Sequence, residues 1–258
     1  MNEKFLRLWE TKNKNDEWWS SFVTAPLAIM VNYVVIDLKW LTPNRVTLVS
    51  FVTAIASTLF IIAGGTGNFL IAAVLIHASH VFDCMDGQMA RYRQTTTPSG
   101  SYFDRVTDQI QVTMWFGAVA YAAYVQSLDP LPIFLSFIGV AFYSLRGYAK
   151  YVAIHVEASR DRDYLHEKSQ QENRDRVPES AGPQFGLGAN LRWFAREQYK
   201  VFDFDEGVFV FMLSLALVLN QLTPMLWIFA MSQVFYGFYR SWQNGHSIDL
   251  NHQPTINK

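Results

Sequence analysis

Apolar residues in this chain come in long blocks with short polar breaks between them, and block length sets the first expectation. Six windows are almost free of charge, at 44–64, 68–90, 104–128, 131–152, 206–221 and 224–242. About 20 apolar residues in a helix are needed to cross the hydrocarbon core of a bilayer. The pattern predicts an all-α integral membrane protein with six transmembrane helices. The breaks at 64–67, 129–130 and 221–224 are turn-rich and hold no Lys or Arg. The 21 basic residues fall in the N-terminal segment, the other loops, the helix ends beside them and the C-terminal tail. Basic residues are retained on the cytoplasmic side. A multi-pass protein with both termini and the 91–103 connection in the cytoplasm is therefore expected. A soluble helical protein would need polar faces that these blocks lack.

Two segments do not fit a simple crossing. Residues 18–41 ("WWSSFVTAPLAIMVNYVVIDLKWL") carry Trp at each end and are interrupted by Pro26, Asn32, Asp37 and Lys39. Trp favours the membrane–water boundary, so 18–41 is predicted to be an amphipathic interfacial helix preceding the six spans. A seventh crossing would put the basic N-terminal residues on the wrong side. The other segment, 156–205, separates the helices of 42–155 from those of 206–243. It is a cytoplasmic loop of mixed charge, rich in Pro and Gly over 178–188, with a short surface helix expected at 191–200. It reads as a solvated connector. Residues 1–17 form a polar tail without the apolar core of a cleavable signal peptide, and 244–258 form a cytoplasmic tail.

Composition narrows the function classes. Half of the residues are hydrophobic and 16% are aromatic. A net charge of −1 gives no global field that would attract nucleic acid. The single cysteine, Cys84, excludes an intrachain disulfide framework.

The chemistry concentrates in "VFDCMDGQMARYRQTTTPSGSYFDRVTDQ", 81–109. Asp83 and Asp86 are three apart at the end of the second block, and Asp104 and Asp108 are four apart at the start of the third. Each spacing puts two side chains on one helix face. Four converging carboxylates repel one another unless protons or cations join them. Hard oxygen ligands suit Mg²⁺ or Mn²⁺, which recruit substrate phosphates to complete their shells. Two such ions would stabilise the attacking and leaving oxygens of phosphoryl transfer. Gly87, Ala90 and Gly100 would let a diphosphate lie close to the backbone, and Arg91 supplies a cation for phosphate or for a carboxylate. Any one of these residues taken alone would read as a helix-end acid or a packing glycine.

The pattern Asp83-x2-Asp86-Gly87-x2-Ala90-Arg91-x8-Gly100-x3-Asp104-x3-Asp108 resembles in full the signature of the CDP-alcohol phosphotransferases, or CDP-alcohol phosphatidyltransferases. Thr42-Pro43-Asn44-x2-Thr47 resembles the family's entry to its first spanning helix. The long loop after the fourth helix departs from the shortest members. The resemblance implies a metal-dependent enzyme of phospholipid synthesis. It would transfer a substituted phosphate from a CDP-linked donor to an alcohol and release CMP. Asp83, Asp86, Asp104 and Asp108 would hold two divalent ions, with Asp108 also acting as general base. Gly87, Ala90, Arg91 and Gly100 would line the CDP site, joined by Asn44 and Thr47. Members often form homodimers, so a second copy is an expected partner beside the surrounding lipid.

The acceptor is less legible. Arg146 and Lys150 lie four apart within the fourth apolar block. Ionisable residues there point to function, and both are assigned to the phosphate of an acceptor such as inositol phosphate or glycerol phosphate. Snorkelling to the surface, or pairing with aspartates of the site, is the competing account. CDP-diacylglycerol is the expected donor, with a CDP-polyol or a CDP-amino-alcohol as the alternative. His77 and His80 read as packing residues, and Asp203, Asp205 and Glu206 as acids at a helix start. An intramembrane prenyltransferase would place its two acidic motifs far apart in the chain. A transporter would need a site at mid-bilayer. Neither matches four acids within one short stretch at a membrane boundary.

Overall fold

The computed structural model describes residues 2–13, 17–174 and 187–251, and these are helical with no strands. In chain order the helices are α1 (Glu3–Glu10), α2 (Ala25–Val35), α3 (Pro43–Ala63), α4 (Thr66–Tyr92), α5 (Pro98–Ser127), α6 (Leu131–Arg160), α7 (Tyr164–Arg174), α8 (Leu187–Glu197), α9 (Glu206–Val218) and α10 (Leu222–Asn251). A π turn (Ser20–Thr24) runs directly into α2, and a 3₁₀ turn (Gln198–Asp203) follows α8.

Local chemistry explains the boundaries. Pro43 occupies the first turn of α3, where its missing N–H costs nothing. Gly64 and Gly65, at φ 68° and 85°, stop α3 and reverse the chain into α4. Pro26 lacks the N–H that would bond back to Phe22, and the chain answers with a wider turn in which Ala25 N–H bonds Ser20 O. α5 starts at Pro98, earlier than the apolar pattern suggested, because Thr97 caps it by accepting from Gly100 N–H at 3.1 Å. The polar tail read over 1–17 contains α1, which buries Leu8. The middle of the polar loop, 175–186, lies outside the described residues.

α3, α4, α9, α10, α6 and α5 pack each on the next and close a ring. The core is apolar and aromatic. Phe116 and Phe229 stack with centroids 3.6 Å apart, and Gly139 allows this, because a Cβ there would sit 2.5 Å from Phe229. Among the described residues, three helices, α3, α4 and α6, are long and apolar enough to cross a membrane. Only 22% of the most apolar window of α6 and 28% of that of α3 is buried, so most of that apolar surface faces outward, as lipid contact requires. The other three expected crossings fall short of this standard. α9 has 13 residues, a rise of about 20 Å against a core of about 30 Å. α5 and α10 mix Gln111, Trp115, Gln233 and several Tyr among their apolar residues.

Candidate active site

α4 and α5 both pack on α3 and are joined by a short turn. Their aspartates face one cavity of about 400 Å³, lined by Asp83, Asp86, Gly87, Arg91, Asp104 and Asp108. One ligand oxygen each from Asp83, Asp104 and Asp108 lies within 4.8 Å of the others. Asp86 stands beside this group, 7% exposed, and its carboxylate accepts from Thr47 Oγ1 of α3. The Oδ1 atoms of Asp83 and Asp108 are buried with no hydrogen-bond partner among the described residues. A buried carboxylate oxygen that no donor satisfies is costly. A divalent cation with oxygen-ligand preference fits that deficit.

Arg91 curls back over Gly87. A Cβ at Gly87 would lie 3.2 Å from Arg91 Nη1, so glycine leaves room for the guanidinium. The N-terminal segment holds Arg91 from the other side: its Nε donates to Thr11 O at 2.7 Å. That segment forms a wall of the cavity through Asn13, Glu17 and Ser20. Glu17 is 8% exposed and accepts from Trp19 N–H at 2.7 Å and from Gly207 N–H at 3.1 Å. It thus caps the start of α9 from a position 190 residues earlier. α2 is pinned to the aspartate-bearing turn of α4 by Asn32, whose Nδ2 donates to Met85 O at 3.0 Å and to Gln88 Oε1 at 3.1 Å.

Several residues expected in the site lie apart from it. Gly100 sits in the first turn of α5 under the Thr97 cap, and neither it nor Ala90 lines the cavity. Asn44 is exposed in the first turn of α3. Thr47 reaches the site through Asp86. Arg146 and Lys150 occupy a second, larger cavity of about 1340 Å³ with Arg105, Lys168 and Arg240, and Asp108 lines both cavities. Arg146 donates to Gln233 at 2.8 Å and lies 3.8 Å from Asp205. Glu206, at the first turn of α9, and His80 also line the first cavity, as does Glu17. The sequence favours a helix-start acid at Glu206 over a substrate role, and a packing histidine at His80, although His80 is only three residues from Asp83 and within reach of the site. No local signal joins Glu206 to His80, 126 residues away.

Residues 40–165 match the family model for CDP-alcohol phosphatidyltransferase, and the whole aspartate pattern falls inside that span. The chain is 36% identical over 88 residues to the phosphatidylinositol phosphate synthase of Corynebacterium glutamicum, covering 34% of this chain and 39% of that protein. It is 23% identical over 141 residues to cholinephosphotransferase 1 of Xenopus laevis, covering 51% of this chain and 35% of that protein. The chain thus spans little more than a third of the length of these curated relatives. The structure of Mycobacterium tuberculosis phosphatidylinositol phosphate synthase with CDP-DAG bound aligns over 92% of this chain and 98% of its own, at 20% identity and a TM-score of 0.49. Residues 40–165, which hold every aspartate of the cavity pattern, are thus similar to the CDP-alcohol phosphatidyltransferase domain.

Proposed function

We propose that this protein transfers a phosphatidyl group from CDP-diacylglycerol to a phosphorylated alcohol, such as inositol phosphate or glycerol phosphate, and releases CMP. The observation that carries this reading is the position of Asp108, shared between an acid-lined cavity and a cation-lined one. Asp83, Asp86, Asp104 and Asp108 would hold two divalent ions, Mg²⁺ or Mn²⁺. Bound there, the ions would neutralise the diphosphate and the departing CMP. Arg91, aimed over Gly87, binds a diphosphate oxygen.

In the second cavity Arg146 and Lys150 take the acceptor phosphate, with Arg105 nearby. This orients the acceptor hydroxyl toward Asp108. The hydroxyl oxygen attacks the β-phosphorus, the bond from that phosphorus to the bridging oxygen breaks, and CMP leaves with the electron pair. The hydroxyl proton passes to a carboxylate oxygen of Asp108. The basic second cavity suits an anionic acceptor and disfavours a quaternary ammonium alcohol such as choline. The positive-inside rule would put both cavities at the cytoplasmic face, where a soluble nucleotide head and lipid tails meet.

The test is CMP release by the purified protein with Mg²⁺ or Mn²⁺ and CDP-diacylglycerol. The acceptor panel holds inositol, inositol phosphate, glycerol phosphate, serine and choline. Release with a phosphorylated acceptor, lost in Asp108→Asn, is expected. Release only with an unphosphorylated alcohol would remove the role of Arg146 and Lys150. Silence across the panel with metal-dependent CDP binding would point to another donor. Absence of CDP binding would overturn the reading.

A further inference from the structure

Glu206 is more than the first residue of a helix. Its Oε1 lies 3.2 Å from His80 Nδ1, and His80 Nε2 lies 2.9 Å from Ser20 Oγ. The His80 side chain is only 3% exposed. A carboxylate can only accept, so Nδ1 carries a hydrogen, and in the neutral ring Nε2 accepts from the Ser20 hydroxyl. The π turn before α2, the middle of α4 and the start of α9 are thereby linked in one chain of hydrogen bonds. This chain holds the Glu206 carboxylate in one orientation.

That orientation faces Asp83. Ligand atoms of His80, Asp83 and Glu206 lie within 4.8 Å of one another, and Asp83 also belongs to the group with Asp104 and Asp108. Asp83 is therefore common to both groups. Its Oδ1 is buried and has no hydrogen-bond partner among the described residues. A helix-start acid neutralised by the α9 dipole and His80 would account for Glu206, but not for the unsatisfied Oδ1 of Asp83, the residue that Glu206 approaches. A cation between the two carboxylates accounts for both.

We infer that Glu206 is a further ligand of the divalent-cation site, brought by α9 from outside the contiguous aspartate pattern and oriented by the Ser20–His80 pair. The inference rests on the proposed role of the aspartate cluster. His80 acts as a positioning residue. An imidazole that donates to a ligating carboxylate fixes its geometry, and loss of such support costs metal affinity about 10–100-fold.

The experiment is a Mn²⁺ titration of the purified full-length protein without nucleotide or lipid substrate, by calorimetry and by the electron paramagnetic resonance signal of free Mn²⁺. Glu206→Gln is expected to weaken Mn²⁺ binding about tenfold or more. Its thermal midpoint in EDTA should not fall, because a repelling charge is removed. His80→Leu should weaken binding in the same direction, and His80→Asn, whose amide can donate where Nδ1 does, should restore it. Wild-type affinity in Glu206→Gln, with binding abolished in Asp104→Asn, would overturn this inference alone. Wild-type affinity in Asp104→Asn would overturn the cluster reading beneath it. Should Glu206→Gln fold poorly, Glu206→Asp keeps the charge on a shorter arm and is expected to bind Mn²⁺ more weakly than wild type. Unchanged affinity there would also overturn the inference.

Discussion

Thr47 shows how a residue outside the aspartate pattern can control one inside it. Its hydroxyl donates to Asp86, which is nearly buried. A hydrogen bond to a charged group contributes about 1.5–3 kcal/mol. Thr47→Val should therefore lower CMP release and raise the Mg²⁺ needed for half-maximal rate, while Thr47→Ser stays near wild type. Steady-state kinetics against metal concentration would check this. Gly87 works differently. A methyl group there would press on the Arg91 guanidinium, the movable end of a flexible side chain. Gly87→Ala should shift Arg91 and raise KM for the CDP donor with the thermal midpoint nearly unchanged. A large loss of stability would argue against this account. The glycine and the arginine were both legible in the sequence. Their dependence on each other, and on Thr11 O, was not, because it needs the curl of Arg91 back along its helix.

Helices are held to the site by a few buried polar ties. Glu17 joins the N-terminal segment to α9 by accepting from Gly207 N–H as well as from its own turn. Capping contacts of this kind contribute about 1–2 kcal/mol. Glu17→Ala should lower the thermal midpoint and loosen the cavity wall. Gly207→Ala should cost more, since its Cβ would collide with Glu17 Oε1 and Ser20 Oγ. Asn32 plays the same part between α2 and α4. Asn32→Leu would leave Gln88 and Met85 O short of a donor, at a cost of about 1–3 kcal/mol. Thermal denaturation in detergent measures both ties. These elements were legible as segments but not as neighbours. The Pro26 interruption announced a broken helix, whereas the docking of that break against His80 depends on the rest of the fold.

Among the described residues, seven carboxylates and one guanidinium line the first cavity, so negative charge concentrates where α4, α5 and α9 begin or end. A cation that binds only the folded state stabilises it by about 2.7 kcal/mol at one hundred times Kd. Removing divalent metal with EDTA should lower the thermal midpoint, and restoring Mg²⁺ or Mn²⁺ should recover it. Asp104→Asn should flatten that difference, and an unaltered response would count against the cluster. The second cavity has the opposite balance, with Arg105, Arg146, Lys150, Lys168 and Arg240 against Asp108. KM for a phosphorylated acceptor should accordingly rise with ionic strength, since salt screens such partly exposed charges.

The sequence by itself determined the helical class, the apolar blocks and the aspartate pattern. Periodicity, turn residues and spacing are local properties that a chain displays before it folds. The match over 40–165 agrees with what that pattern implied about the family. Local spacing could also pair Asp83 with Asp86 and Asp104 with Asp108. It could not show that Asp86 leans on Thr47 while Asp83 closes with Asp104 and Asp108. Nor could it separate Arg146 and Lys150 into a second cavity that meets the first at Asp108. Glu206, His80 and Glu17 enter the site only because α9 packs on α4 and the N-terminal segment lies across both. Those contacts join residues more than a hundred positions apart. They arise from the burial of whole helix faces, so only the tertiary structure decided them.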